Sequence, residues 1–279
     1  MKDFTGRVVV VTGAGSGMGR AYALEAAARG ARLALNDVSA ADLDETRALL
    51  PGGTTVLARA FDVASRDEMD AFAAAVATDL GPAFVVINNA GIEGDGQPAW
   101  NTPPESYRRV MDINFFGVVN GTLAFLPQLL ERDAGAVVNV SSIFGLAGPP
   151  NHSDYSASKF AVRGFTEALA AELLHTKVRA YTVHPGGIDT NIARADNTQP
   201  FKDKYLTTSS EDIVRVVLDR IGSPRTRVVY GNRAGTTWLG ARLLPQRLMN
   251  RLTWRDLSPV LDKTAYPAAE FLRRKGARS

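Results

Sequence analysis

Cysteine is absent from the 279 residues of this chain, so neither a disulfide nor a thiolate metal site can form. Histidine is scarce. Its three occurrences, His152, His175 and His184, lack the short spacings of a ligand cluster, and metal catalysis is not expected. No window approaches the roughly 20 uninterrupted apolar residues that cross a bilayer, and residues 1–6 hold no apolar signal region. A cytoplasmic location is the expectation. Strong charge of either sign is also lacking, since 32 Lys/Arg against 29 Asp/Glu give +3. The balance is uneven: residues 233–279 hold ten Lys/Arg and three Asp/Glu, net +7, against −4 for residues 1–232. Confined to one terminal segment and unaccompanied by a recognised binding motif, this excess does not point to nucleic acid.

What is present is a globular composition, 45% hydrophobic and 22% charged, with length enough for a substantial core in one domain. Short apolar, β-branched runs at 7–12, 31–36, 54–61, 83–88, 136–140, 178–183 and 227–230 alternate with Ala/Leu/Glu-rich stretches such as 17–29 and 158–174. Near-continuous apolar strands separated by helices call for a parallel sheet covered on both faces, a doubly wound α/β fold of about seven strands. The alternation ends after Gly231. Residues 238–254 mix apolar and Arg positions around Pro245, and Arg247, Arg251 and Arg255 recur every four residues beside Leu244, Leu248 and Leu252. The expected organisation is a dinucleotide-binding and catalytic domain over 1–235 and a basic, amphipathic helical extension over 236–279 packed on it. A subunit interface or a flap over the substrate pocket is preferred for this extension to peripheral lipid contact, because it is short and Pro-interrupted.

Thr12, Gly13, Ala14, Gly15, Ser16, Gly17, Met18 and Gly19 follow the first strand and open the first helix. A doubly wound sheet places a dinucleotide pyrophosphate there, against backbone N–H groups and the positive helix end. Glycine is needed where a Cβ would block close approach or a positive φ. Asp37 ends the second strand, 18 residues beyond Gly19. A carboxylate at that point accepts ribose hydroxyls and repels a 2′-phosphate, which favours NAD over NADP. An Asx turn or helix cap is the structural alternative for Asp37.

Tyr155 and Lys159 stand four apart in a helical stretch, so both side chains share one face. A free phenol, with a pKa of about 10, is a poor base at neutral pH, and an adjacent cation lowers that value. The pair alone is as readily a surface pair. With the loop, Asn88-Asn89-Ala90-Gly91 and Asp62-Val63, however, the chain resembles the short-chain dehydrogenase/reductase superfamily from about residue 2 to 231. The resemblance implies a Rossmann-like fold and a tetrad of Asn114, Ser142, Tyr155 and Lys159, with Ser142 preceding Tyr155 by 13 residues. It also implies cofactor contacts from Gly13, Ser16, Gly17, Met18, Gly19, Asp37, Asp62, Val63, Asn89, Ala90, Gly91, Pro185, Gly186, Ile188 and Thr190. Read singly, Asn88 and Asn89 are also strand-end bridges, Ser142 a turn hydroxyl and Asn114 a helix-kinking polar residue.

Together these residues imply hydride exchange between NAD and a small alcohol or ketone. Tyr155 would move the proton, Lys159 lower its pKa and hold the ribose, Ser142 bind the substrate oxygen, and Asn114 anchor a water. Phe144, Leu146, Pro149, Pro150 and His152, with 93–100 and a lid over 191–208, form the expected pocket, whose apolar members suggest a lipophilic substrate. His152 is a substrate contact or a partly exposed loop residue. The resemblance further implies a homo-oligomer, a dimer or tetramer, using the helices that follow Pro104 and Tyr155.

Overall fold

The computed structural model describes residues 2–189, 205–261 and 265–266. Val8 to Val11 show why the chain begins as a buried strand: four successive valines offer water no polar face, and each is at most 3% exposed. Their side chains alternate. Val9 and Val11 enter one core with Leu33, Ile87 and Tyr181, while Val8 and Val10 enter another with Phe72, Val86 and Phe125. Burying each such Val is worth about 1.5–3 kcal/mol, which holds the strand inside on both faces.

Seven strands, β1 Val8–Thr12, β2 Arg32–Asp37, β3 Val56–Ala60, β4 Ala83–Asn88, β5 Gly135–Val140, β6 Val178–Pro185 and β7 Arg227–Tyr230, form one sheet in the order β3-β2-β1-β4-β5-β6-β7. All neighbours are parallel. Because β1 pairs with both β2 and β4, the winding reverses there, and a crevice opens beyond the carboxyl ends of those strands. Among the described residues the α-helices are α1 Gly17–Ala28, α2 Ala40–Ala48, α3 Arg66–Asp79, α4 Pro104–Met111, α5 Gly117–Glu131, α6 Ser153–Glu172, α7 Ser210–Arg220, α8 Ala234–Leu243 and α9 Gln246–Leu257. Residues of α1 and α7 pack in the first core, those of α3, α5 and α6 in the second. The doubly wound architecture expected from the alternating runs is the one observed.

Helix α6 starts five residues before the expected 158, and Asp154 supplies the reason. Its buried carboxylate accepts the Tyr155 N–H at 2.7 Å, the Asp95 N–H at 2.9 Å and the Ser106 hydroxyl at 2.7 Å. A carboxylate in the first turn also favours the positive helix end. Tyr155 therefore sits in the opening turn, pinned to the chain after β4.

The run Pro104–Glu131, α4 to α5 through a π-helical turn Asp112–Phe116, is long and apolar enough by length and composition to cross a membrane. It is a core helix: Val110, Val118, Phe125 and Leu129 are buried, the last two against the sheet. Three of its other apolar residues, Phe116, Leu123 and Leu130, with Phe160 on α6, are 41–48% exposed. Self-association through this face would cover them. We expect a dimeric or tetrameric mass by light scattering at micromolar concentration, and a smaller species for Leu123→Glu. A single-chain mass for the unaltered protein would refute the contact.

Candidate active site

At the switch point the glycine loop and the ends of β2 and β4 enclose one cavity of about 1050 Å³. Gly13, φ +65°, leaves no room for a side chain, since a Cβ would lie 2.8 Å from the Ala90 Cα. Thr12 Oγ1 accepts the Asn89 and Ala90 N–H groups at 3.0 and 3.1 Å, and Asn89 Nδ2 donates to the carbonyls of Thr12 and Gly13. The two strand ends are thereby tied, so the bridging role weighed for Asn89 is present. Ser16, the N-cap of α1, makes no side-chain cap bond, leaving the first-turn N–H groups to a ligand.

Gly13, Ser16, Gly17, Met18, Asp37, Asp62, Val63, Asn89, Ala90, Gly91, Pro185, Gly186 and Ile188 all line this cavity. Gly19 does not line it. A Cβ at Gly19 would stand 1.7 Å from the Gly13 carbonyl oxygen, so this glycine lets α1 approach the loop instead of touching a ligand. Thr190 and residues 191–204 of the expected lid lie outside the described residues; Tyr205 and Leu206 line the cavity.

Asp37 accepts the Gly15 N–H at 2.8 Å and the Ser39 N–H at 3.0 Å. The Asx-turn reading and the ligand reading are thus compatible, because a carboxylate has about four acceptor sites. Val38, Ser39 and Asp42 line the cavity beside it. Arg20, directly after Gly19 in the chain, is engaged with Glu45, Thr46 and the Gly15 carbonyl. Neither Arg20 nor Arg59 lines the cavity; among the described residues the arginines that do, Arg109, Arg233 and Arg255, come from α4 and the C-terminal segment.

Farther along the same cavity stand Ser142, Tyr155 and Lys159. Ser142 Oγ accepts the Phe144 N–H at 3.1 Å, capping a short 3-10 turn. That bond occupies one lone pair and leaves the hydroxyl proton for another oxygen. Burial pushes Tyr155 up to about 12; a hydrogen bond with Ser142 opposes the rise and the Glu93 carboxylate adds to it. Burial also drives Lys159 down to about 8, with its ammonium donating to the Val140 carbonyl at 3.1 Å and 5.6 Å from the Tyr155 ring centroid. The expected lowering of the Tyr155 pKa by Lys159 is therefore corrected: desolvation outweighs a cation held at that distance and itself desolvated.

Asn114 is fully buried in the π turn, a distortion frequent at functional sites. Its Oδ1 accepts the Ile92 N–H at 2.8 Å, and its Nδ2 donates to the Ile92 carbonyl and the Ser158 hydroxyl. The chain after β4 is clamped to α6 by this side chain. A Cβ on Gly91 would meet Asn114 Oδ1 at 3.1 Å and Lys159 Nζ at 3.3 Å, which places the two groups around one small space.

Phe144, Pro149 and His152 line the cavity as expected, Phe144 standing edge-on to His152 at 5.0 Å and to Tyr155 at 6.1 Å. His152 is a wall residue whose Nδ1 lies 2.9 Å from the Pro150 carbonyl. Leu146 and Pro150 do not line it: Leu146 is buried, and Pro150 offers its carbonyl to His152. Of 93–100 only Glu93 and Gly94 reach the cavity; Trp100 lies edge-on to Tyr266, 5.4 Å away. Two further groups were missed in the sequence. Asp154 orders the opening of α6, and the buried His184, pushed down to about 4 by burial, places Nδ1 2.9 Å from the Ser142 carbonyl. Neutral His184 must donate from Nδ1 there, which steadies the backbone of Ser142. A polar residue interrupting the apolar run of β6 was its signal.

The short chain dehydrogenase family matches residues 7–200. The SadH protein of Mycobacterium tuberculosis, named as an oxidoreductase, is 40% identical over 260 residues, 88% of this chain and 93% of that one. A crystal structure of levodione reductase superposes with a TM-score of 0.78 at 31% identity, covering 84% of this chain and 98% of the other. A short-chain dehydrogenase/reductase from Burkholderia phymatum in complex with NAD gives 0.76 at 28% identity, covering 87% and 94%. With the sheet order, the glycine cradle and the Tyr155, Lys159 and Ser142 cluster in one cavity, these similarities show that the chain belongs to the short-chain dehydrogenase/reductase family.

Proposed function

We propose that this protein is an NAD-dependent oxidoreductase interconverting a lipophilic secondary alcohol and its ketone. The observation that carries the reading is the hydrogen-bonded Ser142 and Tyr155 pair beside Lys159, in a cavity continuous with the glycine cradle and Asp37. The donor set fits a dinucleotide: unclaimed N–H groups at the α1 terminus, a loop that a Cβ would fill, and a carboxylate at the end of β2. When bound, the dinucleotide supplies the hydride exchange at C4 and, oxidised, a positive charge.

The protein's part is positional and protonic. Tyr155, protonated at neutral pH, is poised to give its proton to a carbonyl oxygen, while the Ser142 hydroxyl donates to the same oxygen and stabilises the charge that develops there. Lys159 would hold the nicotinamide ribose of a bound dinucleotide, while Asn114 keeps the Ile92 backbone and α6 in register. In the oxidation direction Tyr155 must first lose its proton, which a neighbouring positive charge favours.

Oxidation of NADH with a panel of ketones tests the reading. Turnover is expected, and its absence with bound NADH would favour a catalytically silent nucleotide-binding protein. Cofactor choice rests on Asp37 with Asp42, two carboxylates on the cavity wall that would repel a 2′-phosphate. NADH is expected to outperform NADPH in kcat/KM, and Asp37→Ala to narrow that preference by about tenfold or more, the equivalent of roughly 1.4 kcal/mol. Equal efficiency with NADPH in the unaltered enzyme would overturn the assignment.

A further inference from the structure

Helices α8 and α9 form a hairpin with two unlike faces. Thr236, Gly240, Leu244, Met249 and Thr253 line the cavity, and Gly240 lets the helices close, since a Cβ there would meet Met249 Sδ at 2.9 Å. The other face carries Leu239, Leu243, Leu248 and Trp254, 41–66% exposed. Arg242, Arg247 and Arg251 are exposed among them, with Arg255 and Leu252 at the cavity rim. None of these four arginines joins an ion pair among the described residues, whereas Arg233 pairs with Asp256, the hairpin's single acid. Arg242 instead lies over Trp238, 5.6 Å from its ring centroid.

We propose that this outer face docks on an anionic lipid surface. Exposed leucines interleaved with arginines and tryptophan are the composition of a helix lying in a bilayer interface, apolar side chains entering the acyl boundary while guanidinium groups meet phosphates. A second copy of the chain is a poorer occupant, because a two-fold contact sets the same patch against itself and would oppose arginine to arginine. Nucleic acid would satisfy the arginines and leave three leucines in water. The preference for an interface or flap over lipid contact rested on shortness and on Pro245. In the structure Pro245 is the N-cap of α9 and joins two helices, so it shapes a hairpin without breaking the surface. A flap inside and a lipid contact outside are compatible. Docking would set the cavity rim at the membrane boundary, where an apolar alcohol or ketone concentrates; that last consequence alone rests on the proposed activity.

Co-sedimentation of the full-length protein with phosphatidylcholine vesicles, with and without phosphatidylglycerol, tests the docking. Binding is expected to the anionic vesicles only, and to weaken with salt. Arg247→Ala with Arg251→Ala should cost roughly five-fold per arginine, about 25-fold together, and Leu243→Ser with Leu248→Ser should weaken binding that survives added salt. The activity of both double variants toward a soluble ketone with NADH reports their fold separately. No binding to anionic vesicles at low salt would overturn the proposal. So would undiminished binding of the arginine variant, which would put the contact elsewhere, as on Arg273, Arg274 and Lys275. Insensitivity to the leucine change, with equal binding to heparin, would mark a general polyanion site and overturn it too.

Discussion

Tyr155→Phe is expected to lower turnover by roughly 10²–10⁴-fold, the loss that follows removal of a general acid/base, while NADH binds as before. The change removes one oxygen and keeps the ring that stands edge-on to Phe144 at 6.1 Å. The opening turn of α6 is retained, because Asp154 accepts the backbone N–H of residue 155 and not its side chain. Ser142 loses a hydrogen-bond partner but still accepts the Phe144 N–H, so the stability cost should stay near the roughly 0.5–1.5 kcal/mol of one hydrogen bond. The cradle at Gly13, Gly17 and Asp37 is built without Tyr155. Fluorescence titration with NADH and single-turnover reduction of a ketone separate the two effects. Retention of more than about a tenth of wild-type turnover, a barrier change under about 1.4 kcal/mol, would remove Tyr155 from the proposed mechanism.

Much of this site was legible because its residues stand at strand ends, and the strands announce themselves. Apolar runs such as 8–11 and 85–87 are buried on both faces, which puts Gly13, Asp37 and Asn89 together at one edge of the sheet. Spacing alone also places Tyr155 and Lys159 on one helical face. What spacing cannot show is solvent. The expected depression of the Tyr155 pKa assumed a cation acting in a wet environment, whereas both groups are desolvated and shift in opposite directions. Long-range contacts were equally hidden: Asp154 reaches Asp95 and Ser106, and His184 reaches Ser142 across 42 positions. Helix propensity does not register such partners, which is why it puts the start of α6 five residues late. Leu146 and Pro150 share composition with the true wall residues Phe144 and Pro149, and only the local turn decides which face the cavity.

Gly19 shows the same limit from the other direction, and it yields the second large effect. Its place in the glycine motif suggests a ligand contact, yet the structure gives it a packing role whose failure would be felt at the ligand. A Cβ there would lie 1.7 Å from the Gly13 oxygen, 2.6 Å from the Gly13 carbonyl carbon and 2.8 Å from Asn89 Nδ2. Gly13 cannot yield, being backed by Ala90 and held through its carbonyl by Asn89. The first turn of α1 must therefore retreat, carrying its free N–H groups away from the phosphate position. A displacement of about 1 Å at a positioned group can cost about 10²-fold, so Gly19→Ala is expected to weaken NADH binding by about that factor. Overpacking should also lower stability by about 1–3 kcal/mol. Gly164→Ala, on α6 with nothing within 4 Å of its Cβ position, serves as the matched control and should bind NADH normally. NADH titration with thermal unfolding of both variants decides the matter. A folded Gly19→Ala protein whose NADH affinity stays within about tenfold of wild type, 1.4 kcal/mol, would mean that the α1 terminus does not hold the cofactor.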